Sequence, residues 1–135
     1  MTVYTAGTWD LFHIGHLSFI ERAAEFGSKL IVGVSTDDLV KEYKGTLPVY
    51  PYEDRFAIIG ALRVVTLAVE QTELISKAHL KEYKPDVVVI GGNWCRDDFP
   101  SLKNFMGSVR ILPYTDRISS TIIKERLIQY EKISR

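Results

Sequence analysis

The sequence predicts a single α/β domain on an open, parallel sheet with helices on both faces. Three observations carry this expectation. Short apolar runs alternate with amphipathic stretches along the 135 residues. Leu30-Ile31-Val32-Gly33-Val34 and Val87-Val88-Val89-Ile90 are continuous rather than alternating apolar runs, as in strands covered on both faces. The unusual residues follow the first, fourth and fifth strands, where ligands of such sheets sit beyond the carboxyl ends. The length suits one domain over residues 1–135.

Taken in order, residues 2–6 read as a strand followed by Gly7-Thr8-Trp9-Asp10. From His16 to Phe26 the spacing of Leu17, Ile20 and Ala24 is roughly helical, and Gly27 is placed to end the helix. The second strand is 30–34, and a short helix follows over 38–43. Residues 45–51 contain two prolines and read as a loop. Residues 53–64 are helical by pattern, 65–69 form a strand, and 74–83 form an amphipathic helix stopped by Pro85. Strands at 87–90 and 109–112 precede a last helix over 119–133, for which Ser119, Ser120 and Thr121 are candidate N-caps. No internal repeat or low-complexity tract interrupts the pattern.

Composition narrows the function. The 17 basic and 17 acidic residues balance, so no global field points to nucleic acid or an anionic membrane. A single cysteine, Cys95, excludes an intrachain disulfide framework and a multi-cysteine zinc site. No apolar run approaches the ~20 residues of a membrane span, and Met1-Thr2-Val3-Tyr4 does not open a signal peptide. The expected location is the cytoplasm.

Two of the three histidines fall in Gly7-Thr8-Trp9-Asp10-Leu11-Phe12-His13-Ile14-Gly15-His16. Their i, i+3 spacing puts both on one side of a helical turn, and Gly15 between them leaves room for a bulky group to approach. A helix start offers free N–H groups and a positive dipole end to phosphate. Imidazoles add hydrogen-bond donors where negative charge develops. The spacing alone also fits His13 as a cap and His16 as a core residue.

The whole segment resembles the His-x-Gly-His signature of the nucleotidyltransferase superfamily, and it looks closest to the cytidylyltransferase branch. Ile118-Ser119-Ser120-Thr121 resembles the second signature of that superfamily, at the start of the last helix. Lys44 before Gly45, and Tyr52-Glu53-Asp54-Arg55 with Arg63, are similar to two looser motifs, and Gly91-Gly92-Asn93-Trp94 resembles a fourth strand-end motif.

The resemblance implies a Rossmann-like sheet of order 3-2-1-4-5. It implies transfer of a nucleoside monophosphate, CMP from CTP by first expectation, to a phosphorylated alcohol with release of pyrophosphate. The acceptor is glycerol 3-phosphate or a related polyol, amino-alcohol or sugar phosphate. By resemblance His13, His16 and Lys44 are catalytic. Thr8, Trp9, Asp10, Gly15, Gly91, Asn93, Arg117, Ile118, Ser119, Ser120 and Thr121 bind the nucleotide, and Arg55, Arg63 and Trp94 hold the acceptor or a phosphate. Mg²⁺ or another divalent ion accompanies the triphosphate, with Asp10 the candidate ligand, and a homodimer is implied. The chain departs from the branch pattern at Thr66, Asn93, Tyr114 and Arg117. The Ser-Ser-Thr form of the last motif, which occurs in the adenylyltransferase branch too, keeps open an ATP-using adenylyltransferase, and the departures at Thr66, Asn93 and Tyr114 keep open a catalytically silent nucleotide-binding domain. Cys95 reads as incidental and His79 as a surface residue.

Overall fold

The computed structural model describes residues 1–114 and 118–134. Five parallel strands, β1 (Thr2–Gly7), β2 (Lys29–Ser35), β3 (Leu67–Gln71), β4 (Val87–Gly91) and β5 (Ser108–Leu112), form one sheet in the order β3-β2-β1-β4-β5. Helices α1 (Ile14–Ala24), α2 (Asp37–Lys44), α3 (Tyr52–Gly60), α4 (Lys77–Tyr83) and α5 (Ser120–Ser134) complete the α/β order. The expected class and strand order are both found. The order in which successive strands are added reverses between β1 and β4, and the carboxyl ends of all five parallel strands lie on one edge.

The pleat divides the core in two. Val3, Val32, Val34, Val87 and Val89 pack against Phe19, Ile20 and Ala23 of α1 and Ile59 of α3. On the other face Tyr4, Ile31, Val69, Val88 and Ile90 pack with Ile75 and with Phe99 and Leu102. The latter two residues belong to a segment with two single-turn 3₁₀ helices, Arg96–Asp98 and Pro100–Leu102, which periodicity does not register because each is three residues long. Helices therefore cover both faces, as expected.

Element ends moved where side chains cap the backbone. Thr36 Oγ accepts from Leu39 N at 3.2 Å and starts α2. Ser76 Oγ accepts from His79 N at 3.3 Å and delays α4 to Lys77, which frees Leu74 and Ile75 as loop residues. Helix α3 ends at Gly60, so Arg63 lies beyond it and not two turns along the face that carries Arg55. No helix among the described residues is long and apolar enough to cross a membrane.

Candidate active site

The loop after β1 is held in an unusual conformation. Trp9 and Leu11 have φ of 58° and 49°, left-handed values that cost a side-chain-bearing residue free energy and persist only when neighbours fix them. Trp9 is buried and its indole N–H donates to Gly33 O at 2.9 Å. Asp10 is buried too: Oδ1 accepts from Leu11 N at 3.1 Å and Tyr50 N at 2.8 Å, and Oδ2 accepts from Val49 N at 2.8 Å. These bonds tie the β1 loop to the proline-containing loop before α3 and aim the chain into α1.

His13 is the N-cap of α1, its Nδ1 accepting from Gly15 N at 3.0 Å. His16 Nδ1 accepts from His13 N at 3.3 Å, which makes the capping reciprocal. The rings stack with centroids 3.8 Å apart. With both Nδ1 atoms accepting, each neutral ring carries its proton on Nε2. The cap bonds occupy both Nδ1 atoms and leave the two Nε2–H donors outside the cap, on rings that line the cleft. Gly15 is required sterically, since a Cβ there would lie 2.8 Å from the His13 ring and 3.1 Å from Ile118.

Ile118 marks where the last helix meets the first. Ser119 Oγ accepts from Ile122 N at 3.1 Å and caps α5, and Ser120 Oγ donates to Asp10 O at 2.7 Å. Two helix N-termini thereby converge, each with free N–H groups and the positive end of its dipole.

They open on a cleft of about 860 Å³ along the carboxyl edge of the sheet. It reaches from β3 to β5, roughly 19 Å at ordinary strand spacing. One arm, beside β4 and β5, is lined by Gly91, Asn93, Trp94, Asp98 and Tyr114, with Ile118, Ser119, Ser120 and Thr121 at its inner end. The Tyr114 ring lies over Gly91 and its hydroxyl bonds Trp94. The other arm, beside β2 and β3, holds Ser35, Tyr43, Lys44, Gln71, Leu74 and Ile75. Thr8 Oγ and the Tyr43 hydroxyl bond each other between the arms. His13, His16, Trp9, Asp10 and Gly15 line the middle.

Burial lowers the pKa of His13. Burial, with the charges of His13 and Lys44 against that of Asp10, lowers His16 to about 3. Burial also lowers Lys44, with Asp10 opposing and Lys124 reinforcing the shift. The cleft therefore holds neutral imidazoles beside the amine of Lys44. Stability follows from the same shift. The unfolded chain takes a proton at His16 below about 6.5, whereas the folded chain resists it down to about 3. Stability from this group is full above pH 6.5 and is lost as pH falls toward 3. In urea melts at pH 7.5 and 4.5, His16→Asn is expected to lose less stability on acidification than the wild type; an equal or greater loss would contradict the assignment.

Several expectations need correction. Arg55 does not reach the cleft. It is fully buried, donating from Nε to Tyr50 O (3.0 Å), from Nη1 to Thr8 O (2.7 Å) and Ser35 O (2.8 Å), and from Nη2 to Asp37 Oδ1 (2.7 Å). Four of its five N–H donors serve the scaffold under the β1 loop, and the buried guanidinium does not line the cleft. Arg63 is exposed and does not line the cleft. Asp10 lines the cleft, but its three backbone bonds occupy both carboxylate oxygens, so it does not fit the role of metal ligand; among the described residues no cluster of three His, Cys, Asp or Glu side chains could hold a metal. Thr66 sits at the amino end of β3, away from the cleft, its Oγ1 accepting from Leu30 N at 2.9 Å, so residue 66 does not read the acceptor. Arg117 lies outside the described residues. His79 is partly buried and bonds the Tyr4 hydroxyl. Ser35, Tyr43 and Gln71 were missed, although the first and last end β2 and β3, the positions a parallel sheet offers to ligands.

The comparisons agree with this geometry. The chain is 33% identical over 129 residues to the bifunctional protein HldE of Alcanivorax borkumensis, covering 93% of this chain and 27% of that protein. It is 36% identical over 125 residues to the bifunctional protein HldE of Vibrio vulnificus, covering 90% of this chain and 26% of that one. The chain thus spans about a quarter of the length of these relatives. A crystal structure of a lipopolysaccharide core biosynthesis protein from Thermoplasma volcanium shares the fold, with a TM-score of 0.70 at 24% identity, over 85% of this chain and 96% of that one. The model of the cytidylyltransferase-like family matches residues 4–126, nearly the whole span from β1 into α5, and the chain belongs to that family.

Proposed function

We propose that the chain transfers a nucleoside monophosphate from a nucleoside triphosphate to the phosphate of a sugar or polyol phosphate, and that ATP is the donor. The observation that carries the transfer reading is the convergence of the α1 and α5 N-termini around the Nε2–H groups of His13 and His16. An oxygen of the acceptor phosphate attacks the α-phosphorus in line, forming a new P–O bond as the bond to pyrophosphate breaks. Charge accumulates on the α-phosphoryl oxygens and on the departing pyrophosphate. In this reading the histidine N–H groups and the N-terminal amides of α5 bind it, and Lys44 offers a cation to the incoming phosphate. Such chemistry rests on positioning and charge neutralisation. A divalent ion travelling with the triphosphate is held in this reading by phosphate oxygens and not by Asp10.

ATP is favoured over the CTP first expected. The relatives described above are named as HldE proteins and not as cytidylyltransferases. The chain departs from the cytidylyltransferase pattern at Asn93 and Tyr114, both on the nucleotide arm. Its Ser119-Ser120-Thr121 form occurs in the adenylyltransferase branch too. The test is pyrophosphate release with ATP, CTP, GTP and UTP against sugar, polyol and amino-alcohol phosphates. Turnover is expected with ATP and a hydroxyl-rich acceptor. Higher kcat/KM with CTP would return the donor to the first expectation. Nucleotide binding without turnover by any pair would favour a silent domain.

A further inference from the structure

On the β2–β3 arm a hydrogen-bonded chain crosses four elements. Tyr4 of β1 is fully buried, and its hydroxyl donates to Gln71 Oε1 at 2.7 Å. His79 Nδ1 of α4 lies 2.8 Å from the same hydroxyl. A phenol has one proton, and here Gln71 takes it, so His79 supplies its own Nδ1–H to the Tyr4 oxygen. Gln71 Nε2 then points the other way, to Ser35 Oγ at 3.5 Å. Gln71 and Ser35 are both nearly inaccessible, and both line the cleft.

The backbone is shaped for this chain. A Cβ on Gly33 would sit 2.7 Å from the Tyr4 hydroxyl and 2.9 Å from Gln71 Oε1, so only glycine on β2 lets the two meet. Ser35 and Gln71 are register partners, and Gln71 O accepts from Thr36 N at 3.0 Å, which fixes the main chain beneath the amide.

We propose that Gln71 is a specificity-determining residue that donates from Nε2 to a hydroxyl oxygen of the acceptor, with Tyr4 and His79 as positioning residues that fix which way its carboxamide faces. The inference rests on the transfer reading for the identity of the acceptor arm. A carboxamide nitrogen has two protons. Ser35 takes one across a long contact, and the second has no partner among the described residues. Leu74 and Ile75 flank the site, and among the described residues the carboxylates that line the cleft, Asp10 and Asp98, lie in its middle and on the other arm, so a neutral oxygen suits this arm better than an ammonium group. Alone, a carboxamide would rotate freely between donor and acceptor faces. Held by Tyr4, it presents a donor only.

The experiment measures steady-state kinetics of wild type, Gln71→Met, Tyr4→Phe and the double variant with ATP. Acceptors are hexose 1-phosphates, pentitol phosphates, glycerol 3-phosphate and their monodeoxy analogues. Gln71→Met is expected to raise acceptor KM about tenfold, the weight of one neutral hydrogen bond in a buried site, with kcat and KM for ATP within about twofold. It should also erase the wild-type preference for one hydroxylated acceptor over its deoxy analogue. Tyr4→Phe, which removes only the hydroxyl, should shift acceptor KM the same way, and the double variant should do no more than Gln71→Met. Unchanged acceptor KM, intact discrimination against every deoxy analogue, or an equal rise in KM for ATP would overturn the proposal. Should Gln71→Met fail to fold, Tyr4→Phe carries the same comparison. If the wild type turns over no pair, the transfer reading fails. Calorimetric titration of the same phosphates then decides Gln71: weaker binding to Gln71→Met supports it, and equal or absent binding overturns it.

Discussion

Replacing His13 by asparagine is expected to remove turnover while leaving the start of α1 intact. Asparagine is among the best N-cap residues, and its Oδ1 can replace His13 Nδ1 as acceptor for Gly15 N. What it cannot replace is the Nε2–H that the imidazole leaves outside the cap. Loss of one preorganised donor to a developing oxyanion lowers kcat by about 10²–10³-fold, and the melting temperature should move by no more than ~2 °C. His16→Asn should behave likewise, because its Nδ1 also serves the cap. The measurement is kcat for pyrophosphate release alongside a thermal melt. A variant that melts like wild type and keeps wild-type kcat would reduce the pair to capping residues. A variant that loses both together would show that the cap geometry itself was lost.

Arg55 carries the second large effect, and it falls on stability. Its guanidinium holds three carbonyls from three segments, at Thr8, Ser35 and Tyr50, and the carboxylate of Asp37. Arg55→Met would leave these acceptors facing a methyl group. Leaving buried carbonyls without a donor costs about 1–3 kcal/mol each, together a large part of the ~5–15 kcal/mol by which a domain is stable, while Asp37, its side chain 37% exposed, keeps access to water. For a chain of this size the melting temperature should fall by roughly 10–20 °C. Lysine should not rescue it, since one ammonium cannot reproduce a fork aimed at four acceptors. Arg63→Ala, at an exposed position beyond α3, should change stability by less than ~0.5 kcal/mol. Equal melts for Arg55→Met and Arg63→Ala would refute this division.

These two arginines show where sequence reading stops. Pattern located the five strands and the five α-helices to within about four residues, because apolar periodicity is a local signal and the sheet buries both faces, but it did not register the two 3₁₀ turns. The segment from Gly7 to His16 was legible because its constraints are local: a cap at His13, a glycine under the ring, and a second ring one turn on. The role of Arg55 was not, since a guanidinium on an amphipathic helix reads the same whether it meets a ligand or three carbonyls. Asp10 misled for the same reason, its oxygens being claimed by the amides of Val49 and Tyr50, about forty residues away. Gln71 carried no periodic signal of its own. Only the register of β2 and β3 and the absence of a side chain at Gly33 make it part of a chain of bonds.

The bond from Ser120 Oγ to Asp10 O joins residues 110 positions apart. Closing a loop of that length in a flexible chain costs about 4 kcal/mol of entropy, more than a single neutral hydrogen bond returns. The sheet meets most of that cost in advance, because pairing with β4 fixes β5 and leaves roughly eight residues to bridge to α5, a closure of about 2 kcal/mol. The meeting of the α1 and α5 starts therefore depends on β5 being paired. Conditions that loosen β5 should separate the two helix starts while β1, β2 and β3 still hold their register, so loss of the proposed activity would precede loss of secondary structure.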